Sequence, residues 1–212
     1  MGPRGPHPPP LAHPLDESLF DPKIIPGMIV FCSKFRYAGG MNVFLDLVPP
    51  QLAILILPPQ AAGLLLDLAA ELAARGPLLV LDGGNRFNAY PVARRLSGTT
   101  ALEHLQVARA FTCFQMQALL ETTGTDGPAL LVLDPLATFN DENVPASERQ
   151  YTFRRCVAEL ARLSRRRPVG IGLLNRPDPL GLTEYLVEHA HNCRIYRLEA
   201  EPAAASLQPR LL

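Results

Sequence analysis

The sequence has little that would mark it for export, for a membrane or for bulk binding to polyanions. Its 20 Lys+Arg balance 20 Asp+Glu over 212 residues, so no global field draws nucleic acid or an anionic bilayer, and any basic site must be a local patch. Lysine is nearly missing: 18 Arg stand beside Lys23 and Lys34 alone. The four cysteines, Cys32, Cys113, Cys156 and Cys193, form no Cys-x-x-Cys pair. In a chain of this size and 48% apolar content they read as reduced, buried thiols, with a cytoplasmic location as the expectation. No basic stretch followed by an apolar one opens the chain, so no secretory signal is expected, and Asn-x-Ser/Thr does not occur. The longest uncharged run, Leu47 to Leu66, has the length of a membrane span, but Pro49-Pro50 and Pro58-Pro59 would break such a helix twice. It reads as a buried strand followed by a buried helix.

Proline, in contrast, is abundant, 22 of 212 residues, against an average usage of roughly 5%. Six of these fall before residue 15, which suggests a Pro-rich disordered lead over residues 1–23. Residues 24–51 alternate short apolar bursts around Gly39-Gly40 and suggest a hairpin or arm. From residue 52 to about 201 the pattern is a single α/β domain, and residues 202–212 read as a frayed tail. Leu52 to Leu57 is a compact apolar run of the kind buried on both faces of a parallel sheet. A helix is expected from about Ala61 to Arg75, with Asp67, Glu71 and Arg75 on its wet face, closed by Gly76. The unit then repeats. Strands are predicted at 78–82, 105–111, 129–134, 169–174 and 194–199, alternating with helices at 89–96, 114–122, 147–166 and 180–189. Such alternation argues for a doubly wound, mainly parallel sheet with helices on both faces.

In sheets of this kind ligands sit beyond the carboxyl ends of the strands. Three strand ends carry information: the loop Leu57-Pro-Pro-Gln-Ala-Ala-Gly-Leu64, the loop Asp82-Gly-Gly-Asn-Arg-Phe87, and the apolar strand ending in Asp134. Together with Val107-Ala-Arg-Ala-Phe-Thr-Cys-Phe-Gln115, Leu130 to Phe139 and Glu188 to Arg197, these segments resemble, in order, the ATPase core of the RecA family. The similarity is to the recombinase, RadA and KaiC-like branch and spans about residues 52–199. It implies a RecA-like fold.

The departures from that family carry the functional expectation. An active member needs a Gly-x-x-x-x-Gly-Lys-Ser/Thr loop, whose amides wrap the phosphates while Lys and the hydroxyl serve the phosphates and magnesium. Aligned on strand and helix, Leu57 and Ala62 take the glycine positions, Gly63 that of the Lys and Leu64 that of the hydroxyl. Gly84 takes the place of the Glu that orients the attacking water, whereas Asp82 and Asp134 remain. Pro59, Gln60, Ala62, Gly63, Leu64, Asp82 and Asp134 therefore outline a vestigial nucleotide site. Asp134 also reads simply as a strand-end carboxylate capping the next turn.

The loops that would face DNA, Thr138 to Glu148 and Asn175 to Thr183, are respectively acidic and nearly devoid of positive charge. One helix is basic. Arg154, Arg155, Arg162, Arg165 and Arg166 oppose an apolar face of Phe153, Cys156, Val157, Leu160 and Leu163, and read either as a solvated face or as a surface for nucleic acid or an acidic partner. His189, His191 and Cys193 alternate, but at a spacing that matches no recognised zinc motif; no metal is expected.

The expectation is a non-catalytic RecA-like accessory protein, a pseudo-ATPase without a cofactor. It would partner a related subunit or another copy of itself in DNA repair or recombination, with weak DNA contact at most and no membrane. The alternative is a RecA-like protein that binds or hydrolyses ATP through an unorthodox loop, with Asp82 and Asp134 serving magnesium; binding without turnover, as a regulatory domain, is a third reading.

Overall fold

The computed structural model describes residues 22–25, 28–31, 52–96, 100–190 and 192–198. Eight strands are hydrogen-bonded into one sheet: β1 (Pro22–Ile25), β2 (Met28–Phe31), β3 (Leu52–Leu57), β4 (Leu78–Asp82), β5 (Leu105–Arg109), β6 (Ala129–Leu133), β7 (Val169–Leu174) and β8 (Cys193–Arg197). Their spatial order is β1-β2-β8-β3-β7-β6-β4-β5. The six strands from β3 to β8 are mutually parallel, as the alternation of elements requires. β2 adds in parallel to β8, and β1 folds back antiparallel on β2. This pairing lies at residues 22–31 and begins inside the stretch read as a lead, and the residues around which a hairpin was expected are not among those described. Gly39-Gly40, most of the lead, the tail from residue 202 and His191 lie outside the described residues.

The helices are α1 (Gly63–Arg75), α2 (Ala89–Arg95), the single turn α3 (Thr100–Glu103), α4 (Cys113–Thr122), α5 (Ala146–Ser164) and α6 (Leu182–His189). Strand periodicity sorts them onto two faces. Ala53, Leu55, Leu57, Val80, Leu131 and Leu133 pack with Leu65, Leu68, Ala69 and Ala73 of α1 and Val92 of α2. Ile54, Ile56, Leu81, Val132, Ile171 and Leu173 pack with Met116 and Leu120 of α4, Phe153 and Leu160 of α5, and Leu182 and Leu186 of α6. The sheet is thus doubly wound. Gly172 in β7 is required by close approach, since a Cβ there would collide with the Leu65 side chain of α1.

Local chemistry sets the helix starts. The Asn88 side chain accepts the Tyr90 N–H at 3.0 Å to begin α2. At α4 the Thr112 hydroxyl accepts from the Gln115 N–H at 3.2 Å while the Gln115 side chain accepts the Phe111 N–H at 2.8 Å, a variant of the reciprocal capping box. On the expected wet face of α1, Arg75 pairs with Glu71 and Asp67 with Arg95 of α2. Among the described residues no helix is long and apolar enough to cross a membrane.

Candidate functional site

Because α1 and α2 lie on one face and α4 to α6 on the other, the chain leaves neighbouring strands in opposite directions at β3/β7 and again at β4/β6. The carboxyl ends of such pairs open the crevices where α/β sheets hold ligands. The three strand ends singled out above all reach this edge.

The loop after β3 closes on itself. Pro58 and Pro59 have no N–H, the Ala61 N–H donates to the Pro58 carbonyl at 2.9 Å, the Ala62 N–H to Pro59 at 3.2 Å, and the Leu65 N–H to Ala62 at 3.1 Å. A 3-10 turn over Pro59–Ala61 leads straight into α1. Pro59, Gln60 and Gly63 are exposed, and a side chain at Gly63 would meet open space. Leu64 turns toward the apolar cluster beneath α1. Of the amides that would have to converge on a phosphate, those of Pro58 and Pro59 are absent and those of Ala61 and Ala62 are bonded within the loop.

Asp82 ends β4 and is fully buried. Its Oδ1 accepts the Arg86 N–H at 2.9 Å, and its Oδ2 accepts the Phe87 N–H at 2.9 Å and the Arg109 Nε–H at 3.1 Å. The parallel register of β4 and β5 places Arg109 directly beside Asp82, and Arg109 Nη2 also donates to the Phe87 carbonyl at 3.0 Å. The carboxylate thereby fixes the 83–87 loop and an edge strand at once.

Asp134, one residue past β6, is 2% exposed and holds a left-handed backbone at φ 46°, ψ 50°, a conformation that Asp and Asn tolerate better than other side chains. Its N–H donates to the Gly172 carbonyl at 2.7 Å, tying β6 to β7. Two guanidiniums reach its Oδ2, Arg176 Nη2 at 3.2 Å and Arg86 Nε at 3.5 Å. Neither contact has hydrogen-bond geometry, so the buried Oδ2 and the buried Arg86 Nε both lack a bonding partner. Burial pushes the Asp134 carboxyl above the ordinary carboxylate range, against the pull of Arg176 and Arg86. Gly84 packs onto this carboxylate: a Cβ there would lie 2.7 Å from Asp134 Oδ2, 2.8 Å from its Cβ and 3.0 Å from Arg86 Cγ.

Asp82, Asp134 and the 57–64 loop therefore do gather at one edge, and three arginines that the sequence reading did not assign to it join them. Arg86, Arg109 and Arg176 against Asp82 and Asp134 leave a net charge of +1 (three less two). A signal for two of them was present. Arg109 closes a strand, and Arg176 follows β7 by two residues, so both project at the edge where the carboxylates were expected.

Of the five arginines expected on one helix, Arg154, Arg155 and Arg162 lie on α5, whereas Arg165 and Arg166 follow its last residue, Ser164, and the five point in three directions. Arg155 pairs with Glu121 of α4 at 2.8 Å, which holds the Glu121 carboxyl below its ordinary range after the larger contribution of Gln117. Arg162 pairs with Glu159 at 2.5 Å and donates to the Thr123 carbonyl at 3.1 Å, closing the end of α4. Arg154 lies over the Tyr185 ring of α6, 5.6 Å from its centre. Arg165 and Arg166 are exposed at the end of the helix.

His189 ends α6, exposed and stacked on Tyr185, whereas Cys193 is buried in β8. One is helical and the other lies in a strand, so they do not share one extended face. Among the described residues no three metal-ligating side chains cluster. Cys113, Cys156 and Cys193 are buried and unpaired, and burial pushes the Cys156 thiol up to about 12, which makes it inert as a nucleophile at neutral pH. No protein-family model and no curated protein matches this chain.

Proposed function

We propose that this chain is a RecA-like protein that has lost nucleotide chemistry and serves as a non-catalytic accessory subunit. It would partner a related ATPase or recombinase, or a second copy of itself, in DNA repair or recombination. The family and the process rest on the resemblance of Val107 to Gln115 and Leu130 to Phe139. The loss of chemistry is supported by one observation above others: each buried carboxylate at the carboxyl edge already faces guanidiniums of the same chain.

Magnesium does not fit this arrangement. Asp134 is the carboxylate placed to assist the ion, but Arg176 and Arg86 stand against its Oδ2, and a divalent cation there would meet two like charges at ion-pair distance. Leu64 offers the ion no side-chain hydroxyl, and Gly63 offers the phosphates no ammonium. Phosphoryl transfer depends on positioning and charge neutralisation by these parts, so no turnover follows. The decisive experiment measures ATP hydrolysis with magnesium by the full chain and by Asp134→Asn. Rates equal to buffer background for both are expected; hydrolysis by the wild type that Asp134→Asn abolishes would overturn the reading.

A further inference from the structure

At the carboxyl edge two guanidiniums, those of Arg86 and Arg176, converge on one carboxylate oxygen. Asp134 can neutralise one of them. Asp82 offers no relief, because its charge is already matched by Arg109. One positive charge therefore stays uncompensated at the mouth of a strand-end crevice.

The geometry of the pairing leaves donors over as well. A guanidinium presents five N–H groups in a planar fork suited to two-oxygen acceptors, yet Asp134 meets both forks with a single oxygen and bonds neither. Arg86 and Arg176 remain 38% and 32% exposed, so the outer edges of both forks reach solvent. Nitrogens at 3.5 and 3.2 Å from one common oxygen lie at most 6.7 Å apart (3.5 plus 3.2), which keeps the two guanidiniums within reach of one anion. The site also lies where the sheet changes winding direction, between β4, β6 and β7.

We propose that Arg86 and Arg176, gathered on Asp134, form a metal-independent site for a phosphate-type oxyanion. The guanidiniums supply paired donors and the net positive charge, and Asp134 holds the two side chains together as their internal counter-ion. Asp134 also weakens the site, since it repels the ligand it helps to position. That double role has a consequence a merely structural ion pair lacks: removing the carboxylate charge while keeping its shape strengthens anion binding. Asparagine suits the test, as it accepts the left-handed backbone at this position. The inference goes beyond the loss of ATP turnover, which fails on magnesium-dependent hydrolysis, whereas this site fails on anion binding in the absence of any metal.

The test is calorimetric titration of the full chain with pyrophosphate at pH 8 in EDTA. Saturable binding is expected. Arg86→Gln and Arg176→Gln should each weaken it by about tenfold or more, the loss of a charge-assisted contact. Neither change disturbs the Asp82 bonds, because Arg86 reaches Asp82 through its backbone N–H. Asp134→Asn should tighten binding by roughly 3- to 100-fold, the span set by a unit charge a few ångström away at surface to half-buried screening. The Arg165→Gln, Arg166→Gln double variant should bind as the wild type does. ATP in the same EDTA buffer separates the sources: affinity equal to pyrophosphate assigns the site to the free anion, and tighter binding assigns it to a nucleotide's phosphate tail, provided both arginines are again required. No binding at millimolar pyrophosphate, or binding left unchanged by both arginine variants, or weakened by Asp134→Asn, would overturn the proposal.

Discussion

Gly84→Ala probes the packing that holds the two aspartate clusters together. The added Cβ would sit 2.7 Å from Asp134 Oδ2 and 2.8 Å from Asp134 Cβ, distances that real Cβ atoms essentially never show, and neither neighbour can swing away freely. Asp134 is buried and its backbone is fixed by the Gly172 carbonyl at 2.7 Å; its side chain is flanked by Arg86 and Arg176. Relief requires moving the 83–87 loop, which Asp82 ties down through the Arg86 and Phe87 amides, or moving Asp134 off its arginines. Overpacking of this kind costs about 1–3 kcal/mol. At roughly 2–4 °C per kcal/mol for a chain of this length, the thermal midpoint should fall by about 2–12 °C. Gly63→Ala is the matched control, since nothing lies within 4 Å of a Cβ there, and its midpoint should stay or rise slightly. Urea and thermal unfolding of the three proteins side by side decide the matter. If Gly84→Ala unfolds within about 0.5 kcal/mol of the wild type, the packing of Gly84 on Asp134 is wrong.

Three further outcomes follow from the same geometry. Burial raises the Asp134 carboxyl above its unfolded value of about 3.9, so the folded chain binds the extra proton in the window just above that value; the stability this contributes is present in acid and lost as pH rises through the folded value. The unfolding free energy of the wild type minus that of Asp134→Asn, from parallel urea titrations, should therefore fall across that window, and a rise would refute the assignment. Arg162→Ala should cost about 1–2 kcal/mol through the lost bond to the Thr123 carbonyl, whereas Arg165→Ala and Arg166→Ala should stay within about 0.5 kcal/mol. With Arg154, Arg155 and Arg162 engaged within the fold, single-stranded DNA retention should be weak, with a log–log salt slope no steeper than about −1.4, two phosphates' worth; a steeper slope abolished by Arg165→Gln, Arg166→Gln would show that the α5 face reads nucleic acid in its own right.

Much of the framework was legible in the amino-acid order, for reasons that are local. Leu52 to Leu57 and Val169 to Leu174 are continuous apolar runs, so both were expected as strands and both form over those residues. The spacing of Phe153, Cys156, Val157, Leu160 and Leu163 marked the buried face of α5 within two residues of its observed ends. α3 was missed because a single turn has no period to detect. The pairing of β1 with β2 was not expected, because it joins two four-residue strands, too short for alternation to mark; the hairpin expected around Gly39-Gly40 lies outside the described residues.

The site was half legible. Asp82 and Asp134 stand where strand ends said they would, but the arginines that neutralise them arrive over long separations, 27 residues for Arg109 and Asp82, and their meeting depends on strand order that no local pattern encodes. The arginine face beside α5 was legible as a face, since Arg154, Arg155, Arg165 and Arg166 are exposed, but the partners of three of its arginines were not. Helical spacing put five guanidiniums on the side away from the core, yet α4 and α6 flank that side, and Glu121, the Thr123 carbonyl and the Tyr185 ring engage three of them, two of which, Arg154 and Arg155, stay exposed.

The claim that internal guanidiniums occupy the place of a metal is tested most directly with manganese, which substitutes for magnesium and is counted by its free-ion paramagnetic resonance signal. The full chain is titrated with Mn2+ at pH 8, alone and with ATP, beside Asp134→Asn. The expected result is that the protein removes no Mn2+ from solution beyond what ATP itself binds, at any concentration below the millimolar range. Stoichiometric uptake by the wild type that disappears in Asp134→Asn would place a metal on that carboxylate and contradict the account.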